Sequence, residues 1–168
     1  MAMKIYTLVA AVILCAVPVF SQDRISPDED FWVCQITEAT MFGASGISYG
    51  GGLALAYGRG ASIGFKAAYL VNNIIGERID VLELNFLLRY NFFGGSSVSG
   101  PFIQLTGGQA FFFRQKEGIS IPSEWGIISA GASLGWRFPL GRLFFIEPFV
   151  RGGYPYFAGT GLAAGFHW

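Results

Sequence analysis

Charged residues are scarce in this chain. Asp, Glu, Lys and Arg make up 13% of 168 residues, whereas a soluble domain typically holds about 25%. The sequence also has only two cysteines and one histidine, and its formal net charge is zero. These shortages exclude a disulfide scaffold and a Cys/His metal centre, and they leave no basic surface for nucleic acid phosphates.

Long apolar runs are also missing, except at the N-terminus. There, Lys4 supplies a basic start, residues 5–17 are almost entirely apolar, and Val19 and Ser21 suit the positions before a cleavage site. This layout predicts a secretory signal peptide. An uncleaved anchor helix and a lipoprotein signal that uses Cys15 remain as alternatives. No later segment has the roughly 20 apolar residues of a spanning helix.

What the chain has instead is alternation. From residue 31 onward, segments of about ten to fifteen residues place apolar side chains on one face and small or polar ones on the other. In the clearest segment, Leu84 and Phe86 oppose Glu83 and Asn85. The eight predicted strands are 31–43, 47–57, 61–71, 79–92, 101–113, 125–138, 143–153 and 159–168.

Two of these strands are irregular. In segment 101–113, Gln109 shares a face with apolar residues, so we expect a bulge at Gly107–Gly108 that resets the phase. The facing of segment 31–43 is ambiguous. If both termini are periplasmic, the outer loops are 44–46, 72–78, 114–124 and 154–158, and the inner turns are 58–60, 93–100 and 139–142.

The contents of the two faces indicate which one points outward. The smaller face is mostly Gly, Ala and Ser with isolated charges, which suits the narrow interior of an eight-stranded barrel. The larger face is Leu, Ile, Phe, Tyr and Trp, which suits hydrocarbon. A water-exposed face would carry many more Lys, Glu and Asp residues. We therefore predict an all-β fold, an eight-stranded antiparallel up-and-down transmembrane barrel, with a soluble barrel or sandwich as the alternative.

Aromatic side chains collect at the strand ends, as expected at the two membrane–water boundaries. The predicted inner girdle is Tyr57, Tyr90, Phe92, Trp136, Phe144 and Trp168, and the outer girdle is Tyr49, Tyr69, Phe111, Phe113 and Tyr154.

The alternation, the count of eight strands and the final segment Gly161–Trp168, which alternates and ends on an aromatic, resemble the small outer-membrane barrels of the OmpX, OmpA-membrane-domain and OmpW type. The resemblance covers residues 31–168. It implies location in the bacterial outer membrane and recognition of the strand ending in Trp168 by the barrel-assembly machinery. Residues 1–21 are then a cleavable signal and residues 22–30 a short acidic periplasmic lead.

Charged residues of both signs recur on the face predicted to point inward. They are Lys66, Glu83, Arg89, Arg137, Glu147 and Arg151, with Glu38 a possible addition from the first strand. Because an unpaired buried ion is costly, we expect these groups to form a structural salt-bridge plug. The alternative is a gate or selectivity lining for a narrow pathway.

No residues in this pattern suggest catalysis. The single His167 lies next to the end of the sequence, and no nucleophile motif accompanies it. We expect no enzyme activity, no metal and no cofactor. The expected function is that of a monomeric outer-membrane barrel in contact with lipids, with a structural or surface-interaction role. A narrow channel or conduit for small or hydrophobic solutes is the alternative.

Overall fold

The computed structural model describes residues 32–43, 46–74, 77–92, 99–116, 119–122, 126–141 and 143–167. The predicted signal peptide, the acidic lead and Trp168 lie outside these residues.

The described chain is a single antiparallel sheet. Its strands are β1 (Trp32–Gly43), β2 (Gly46–Gly58), β3 (Ala61–Ile74), β4 (Glu77–Asn91), β5 (Gly100–Lys116), β6 (Ile119–Pro122), β7 (Ile127–Leu140), β8 (Phe144–Tyr154) and β9 (Tyr156–His167). Each long strand pairs with its neighbours along the chain, and β1 pairs with β9 to close the sheet. Eight strands therefore form a closed up-and-down barrel, which confirms the predicted fold. The short strand β6 forms a hairpin with the end of β5.

The strands are staggered around the barrel. The row of paired residues that starts at Trp32 passes once around the sheet and returns to β1 at Phe42, ten positions further along. Such a stagger requires strands that tilt about 35–45° from the barrel axis. The row is Trp32, Tyr57, Ile63, Leu88, Leu105, Ala132, Gly152, Ala158 and Phe42, and it climbs from the inner to the outer end.

The strands extend further into the predicted breaks than the sequence suggested. β3 continues to Ile74 and β4 begins at Glu77, so the predicted loop 72–78 is mostly paired backbone. The predicted loop 114–124 likewise contains a β5–β6 hairpin in which Phe113 pairs with Pro122. Antiparallel pairing continues past the apolar segments, because it satisfies backbone groups whatever the side chains are.

The prediction of a bulge at Gly107–Gly108 is wrong. Gly107 pairs with Phe86 on one side and Ala130 on the other, and the register of β5 continues unbroken beyond it. Gln109 therefore lies on the outer face in phase with its apolar neighbours, where it is exposed. The polar residue tolerated on this face misled the sequence interpretation.

The outward face of the barrel is apolar, as predicted. Exposed large side chains include Ile63, Phe65, Phe86 and Ile128, each more than 60% accessible. The five members of the predicted inner girdle that the structure describes are all exposed. Some of their rings contact each other, and the ring centroids of Tyr90 and Phe92 lie 5.5 Å apart. No helix in the described part of the chain is both long enough and apolar enough to cross a bilayer.

One side of the outer rim rises above the rest. β7 pairs with β5 only as far as Ala110, whereas β5 continues with β4 to Gln115 and with β6 to Lys116. Strands β3, β4, β5 and β6 therefore form a raised wall on one side of the rim.

Candidate functional site

The interior of the barrel, called the lumen here, is lined by the face that alternates with the apolar one. All six charged residues predicted to face inward are buried, and each is at most 6% exposed. They come from four strands: Lys66 on β3, Glu83 and Arg89 on β4, Arg137 on β7, and Glu147 and Arg151 on β8. In β1, whose facing was ambiguous, Gln35, Thr37 and Met41 are buried while Ile36 and Phe42 are exposed.

Glu38 was a possible seventh member. The register places it opposite Gly51 and Leu162, both on the exposed outer face. The side chain of Glu38 is not among those that the structure describes.

Near the inner end of the lumen, one carboxylate is shared by two guanidinium groups. Oε1 of Glu147 accepts from Nη1 of Arg89 at 2.7 Å and from Nε of Arg137 at 2.5 Å. Arg89 also donates through Nε and Nη2 to Oε1 of Gln104, at 3.1 and 2.7 Å, and through Nη2 to Gln35 at 3.4 Å. These residues, Gln35, Arg89, Gln104, Arg137 and Glu147, form what we call the inner cluster.

Aromatic rings support both arginines of the inner cluster. The guanidinium carbon of Arg89 lies 4.1 Å from the ring centroid of Phe102, and that of Arg137 lies 4.0 Å from the centroid of Phe145. Cation–π contacts of this kind gain strength where water is excluded. Each guanidinium is thus held between a hydrogen-bonded edge and an aromatic face, which fixes its orientation.

Nearer the outer end, a second group of residues surrounds Glu83. Nη1 of Arg151 lies 2.8 Å from Oε2 of Glu83, and Nη2 lies 3.4 Å from Oε1. Ser129 and Asn85 donate to the same carboxylate at 3.4 and 3.3 Å. We call Glu83, Asn85, Ser129 and Arg151 the outer cluster. Its four donor contacts satisfy both oxygens of a carboxylate that is wholly removed from solvent.

Lys66 belongs to neither cluster. Its Nζ lies 5.6 Å from the ring centroid of Phe149, and no described carboxylate lies within salt-bridge distance. The six predicted charged residues therefore separate into a triad, a pair and a single lysine.

Apolar side chains also lie between the strands in the interior, beside both clusters. One group of buried apolar residues includes Met41, Leu70 and Val81, on the outer side of the outer cluster. A smaller group, which includes Val33, Leu87 and Phe145, lies near the inner cluster. A cavity of about 10 Å³ remains beside Arg89 and Arg137. A space of that size holds about one water molecule. This space is too small for an organic solute to occupy.

The described carboxylates and the histidine of the lumen contact other groups of the protein. The described residues contain no group of three or more His, Cys, Asp or Glu side chains placed to hold a metal. The ring of His167 is buried and stacks on Phe145, with centroids 6.2 Å apart. Both lumen carboxylates are occupied by guanidinium groups rather than facing a substrate cleft.

Sequence reasoning missed the neutral members of the two clusters. Gln35, Gln104 and Ser129 are each at most 6% exposed and each contacts a charged group. Their strand phase was available as a signal, because each is in phase with inward residues. Which charge they would meet depends on the stagger, which alternation alone does not reveal.

A further charged group lies on the outer face, at the raised wall. The carboxylate of Asp80 accepts from Nε of Arg78 at 2.8 Å and from the hydroxyl of Tyr69. Asp80 is 2% exposed, whereas the side chain of Arg78 is 44% exposed. This group is separate from the lumen clusters because Asp80 pairs directly with Val71 and Phe113, in the outward phase.

Comparison with known proteins gives similarity in fold without close similarity in sequence. No protein-family model and no curated protein matches the chain. The solved structure of Neisserial surface protein A is 12% identical, with a TM-score of 0.64 over 84% of this chain and 96% of that one.

Two other barrels are similar at a lower level. The N-terminal β-barrel domain of Pseudomonas aeruginosa OprF is 15% identical, with a TM-score of 0.51 over 81% of this chain and 97% of that one. Ail, the attachment invasion locus protein of Yersinia pestis, was solved with the heparin analogue sucrose octasulfate. It is 10% identical, with a TM-score of 0.53 over 83% of this chain and 97% of Ail. The chain therefore has the fold of the small eight-stranded transmembrane barrels.

Proposed function

We propose that this chain is an integral outer-membrane β-barrel whose lumen is closed by its own side chains and whose role is structural or surface-interacting. The observation that carries the proposal is the filled interior. The space that a solute would need holds two buried salt-bridge clusters and two groups of apolar side chains. The cavity beside Arg89 and Arg137 measures only about 10 Å³. With the interior closed, function belongs to the outer surface and the rim.

The outer-membrane location rests on the exposed apolar belt and on the fold. A soluble protein rarely exposes so many large apolar side chains over one continuous surface, and a closed barrel leaves no unpaired strand edge within the bilayer. The similar barrels include Neisserial surface protein A and Ail, the attachment invasion locus protein of Yersinia pestis. We propose that residues 1–21 are a cleavable signal peptide that directs export to this membrane. We propose no enzymatic activity.

A surface role is supported by the raised wall. Strands β3 to β6 continue beyond the level at which β7 leaves the sheet, so the raised wall projects as paired strands on one side of the rim. Interfaces on rigid strands need less ordering when a partner binds than interfaces on loose loops. The raised wall is therefore a suitable place for contact with another surface.

Removal of the outer end of the raised wall tests the surface role. Cells that produce the whole chain are compared with cells whose chain has residues 114–124 replaced by a short glycine–serine turn. We expect adhesion to cells or solid surfaces to fall to the level of cells without the protein. Heat-modifiable mobility on gels and outer-membrane fractionation check that the variant still folds and inserts. Unchanged adhesion by a correctly inserted variant contradicts a role for the raised wall in adhesion.

The alternative function, a narrow conduit for small or hydrophobic solutes, would need the interior clusters to separate. Glu147 and both of its arginine partners would have to exchange contacts to open a path past the inner cluster. No observation among the described residues favours that state over the closed one.

A further inference from the structure

Asp80 is an unusual residue for the outer face of a transmembrane barrel. It is 2% exposed, and its outward neighbours across the sheet are Val71 and Phe113. Burial of a carboxylate among apolar groups is costly unless charged or polar partners satisfy it. Arg78 and Tyr69, which both donate to Asp80, lie on the same outer face. The group contributes nothing to closing the lumen, so its presence needs another explanation.

The group lies at the outer boundary of the apolar belt. Tyr69 belongs to the predicted outer girdle and pairs with Leu82 of β4. Arg78 lies four residues beyond Leu82 toward the tip of the wall, which is about 13 Å along the strand. Arg78 and Asp80 are in the outward phase of the wall, so in the proposed membrane placement they face the headgroup layer of the outer leaflet.

The geometry leaves the guanidinium of Arg78 partly open. Asp80 accepts from Nε and the Tyr69 hydroxyl also hydrogen-bonds the guanidinium, yet the side chain of Arg78 is 44% exposed. The planar fork formed by Nη1 and Nη2 matches two oxygens of a phosphate group. An arginine held at Nε by a buried acid presents this fork with little freedom to rotate.

We infer that Arg78 binds the phosphate group of an anionic membrane lipid on the outside of the wall, with Asp80 as the residue that positions it. This inference rests on the membrane placement proposed above and adds a lipid partner to it. Basic groups beside an anionic membrane surface are attracted to its lipid headgroups. Asp80 does not contact the lipid but keeps the guanidinium fork aimed outward.

Binding of phosphatidic acid to the purified whole chain in detergent micelles tests the inference, with the bound lipid counted by native mass spectrometry. We expect Arg78→Gln to weaken phosphatidic acid binding about tenfold, as the loss of charge-assisted hydrogen bonds implies. Phosphatidylcholine, whose phosphate charge is balanced by its choline cation, should distinguish the two proteins much less. Arg59→Gln, in the turn after β2 at the opposite end of the barrel, is the matched control and should leave binding unchanged.

Asp80→Asn separates positioning from simple charge attraction. Removal of the acid makes the site more positive, so charge attraction alone would tighten phosphate binding. If Asp80 positions Arg78, Asp80→Asn weakens binding instead, and Arg78→Lys, which keeps the charge but loses the fork, weakens it as well. Tighter binding by the Asp80→Asn protein would overturn the positioning role.

Two further outcomes would overturn the lipid assignment itself. One is equal phosphatidic acid binding by the parent and the Arg78→Gln protein. The other is full competition by inorganic phosphate at the concentration of the lipid, because the source of the phosphate would then not be a membrane. Insertion into vesicles and heat-modifiable mobility are measured on every variant, so a failure of membrane placement is recognised separately.

Discussion

At the scale of single residues, Glu147 joins the two arginines of the inner cluster. Its Oε1 accepts from Arg89 and Arg137, and its side chain is fully buried. A buried ion pair contributes little net stability compared with apolar side chains of similar volume, yet loss of one partner leaves uncompensated charge behind. Here the loss of Glu147 would leave two guanidinium groups without their shared carboxylate.

Glu147→Ala should therefore lower the free energy of unfolding by about 3–5 kcal/mol. Urea unfolding of the parent and the variant in lipid vesicles, followed by tryptophan fluorescence, measures the difference. The control replaces the whole triad, with Arg89→Met, Arg137→Met and Glu147→Leu combined. Because this protein keeps no unpaired charge, it should be more stable than Glu147→Ala alone. A triple variant less stable than the single one would contradict this account of the pairing.

The sequence predicted which charged residues face inward but not how they pair. Arg89 and Glu147 are 58 residues apart, and Glu83 and Arg151 are 68 residues apart. Strand phase assigns each to the lumen, whereas the partner depends on the stagger of strands on opposite sides of the barrel. Asp80 escaped notice because its phase is that of the lipid-facing residues.

At the scale of elements, β5 illustrates how glycine shapes the barrel. Gly107 and Gly108 are consecutive, yet they face opposite sides of the sheet. A Cβ atom at Gly107 would meet nothing within 4 Å. A Cβ atom at Gly108 would clash with the backbone oxygen of Leu84 and would lie 2.8 Å from the Cα atom of Asn85.

Gly108→Ala should therefore destabilise the barrel by about 1–3 kcal/mol, because β4 and β5 would have to separate to admit the methyl group. Gly107→Ala, on the open outer face, should change stability by less than about 0.5 kcal/mol. The same urea titration compares the two variants. Equal effects of the two substitutions would mean that the close approach of β4 and β5 at Gly108 is not needed for stability.

The positions of the eight barrel strands followed from the sequence, whereas their ends did not. Alternation marks only the part of a strand that has one apolar face, and β3, β4 and β5 continue beyond it as paired backbone. The bulge expected in β5 was wrong for a related reason. Gln109 was interpreted as a change of phase, although it is a polar residue on the outer face.

At the scale of the whole molecule, the stagger of ten positions sets the height of each outward residue. In the row from Trp32 to Phe42, Leu105 is the fifth of nine positions, so it lies midway between the two girdles. Leu140, in contrast, is the last residue of β7, at the inner end of the barrel. Both side chains are exposed to about the same degree, 49% and 54%.

Leu105→Arg should cost about 2–4 kcal/mol of stability in a bilayer, and Leu140→Arg about 0–1 kcal/mol, because the cost of a charge on the lipid face falls toward the interfaces. Reversible unfolding of both variants in vesicles gives the two values. A similar cost at the two positions would contradict the placement of the belt.

The overall architecture was predictable because the two faces have such different compositions. The sequence also predicted a charge-paired plug in the lumen, but it did not predict which side chains, such as those of Arg89, Gln35 and Glu147, meet across the interior. Alternation alone allowed both a filled lumen and an open one.

Ion conductance in a planar bilayer tests the central claim, a transmembrane barrel with a closed lumen, most directly. The whole chain is extracted from outer membranes and inserted, and protease protection of the bilayer-embedded strands shows how much protein has entered. The account predicts a silent bilayer for the parent protein. Reproducible single-channel steps that change in Arg89→Ala or Glu147→Ala would contradict it, because the charged interior would then line a pathway.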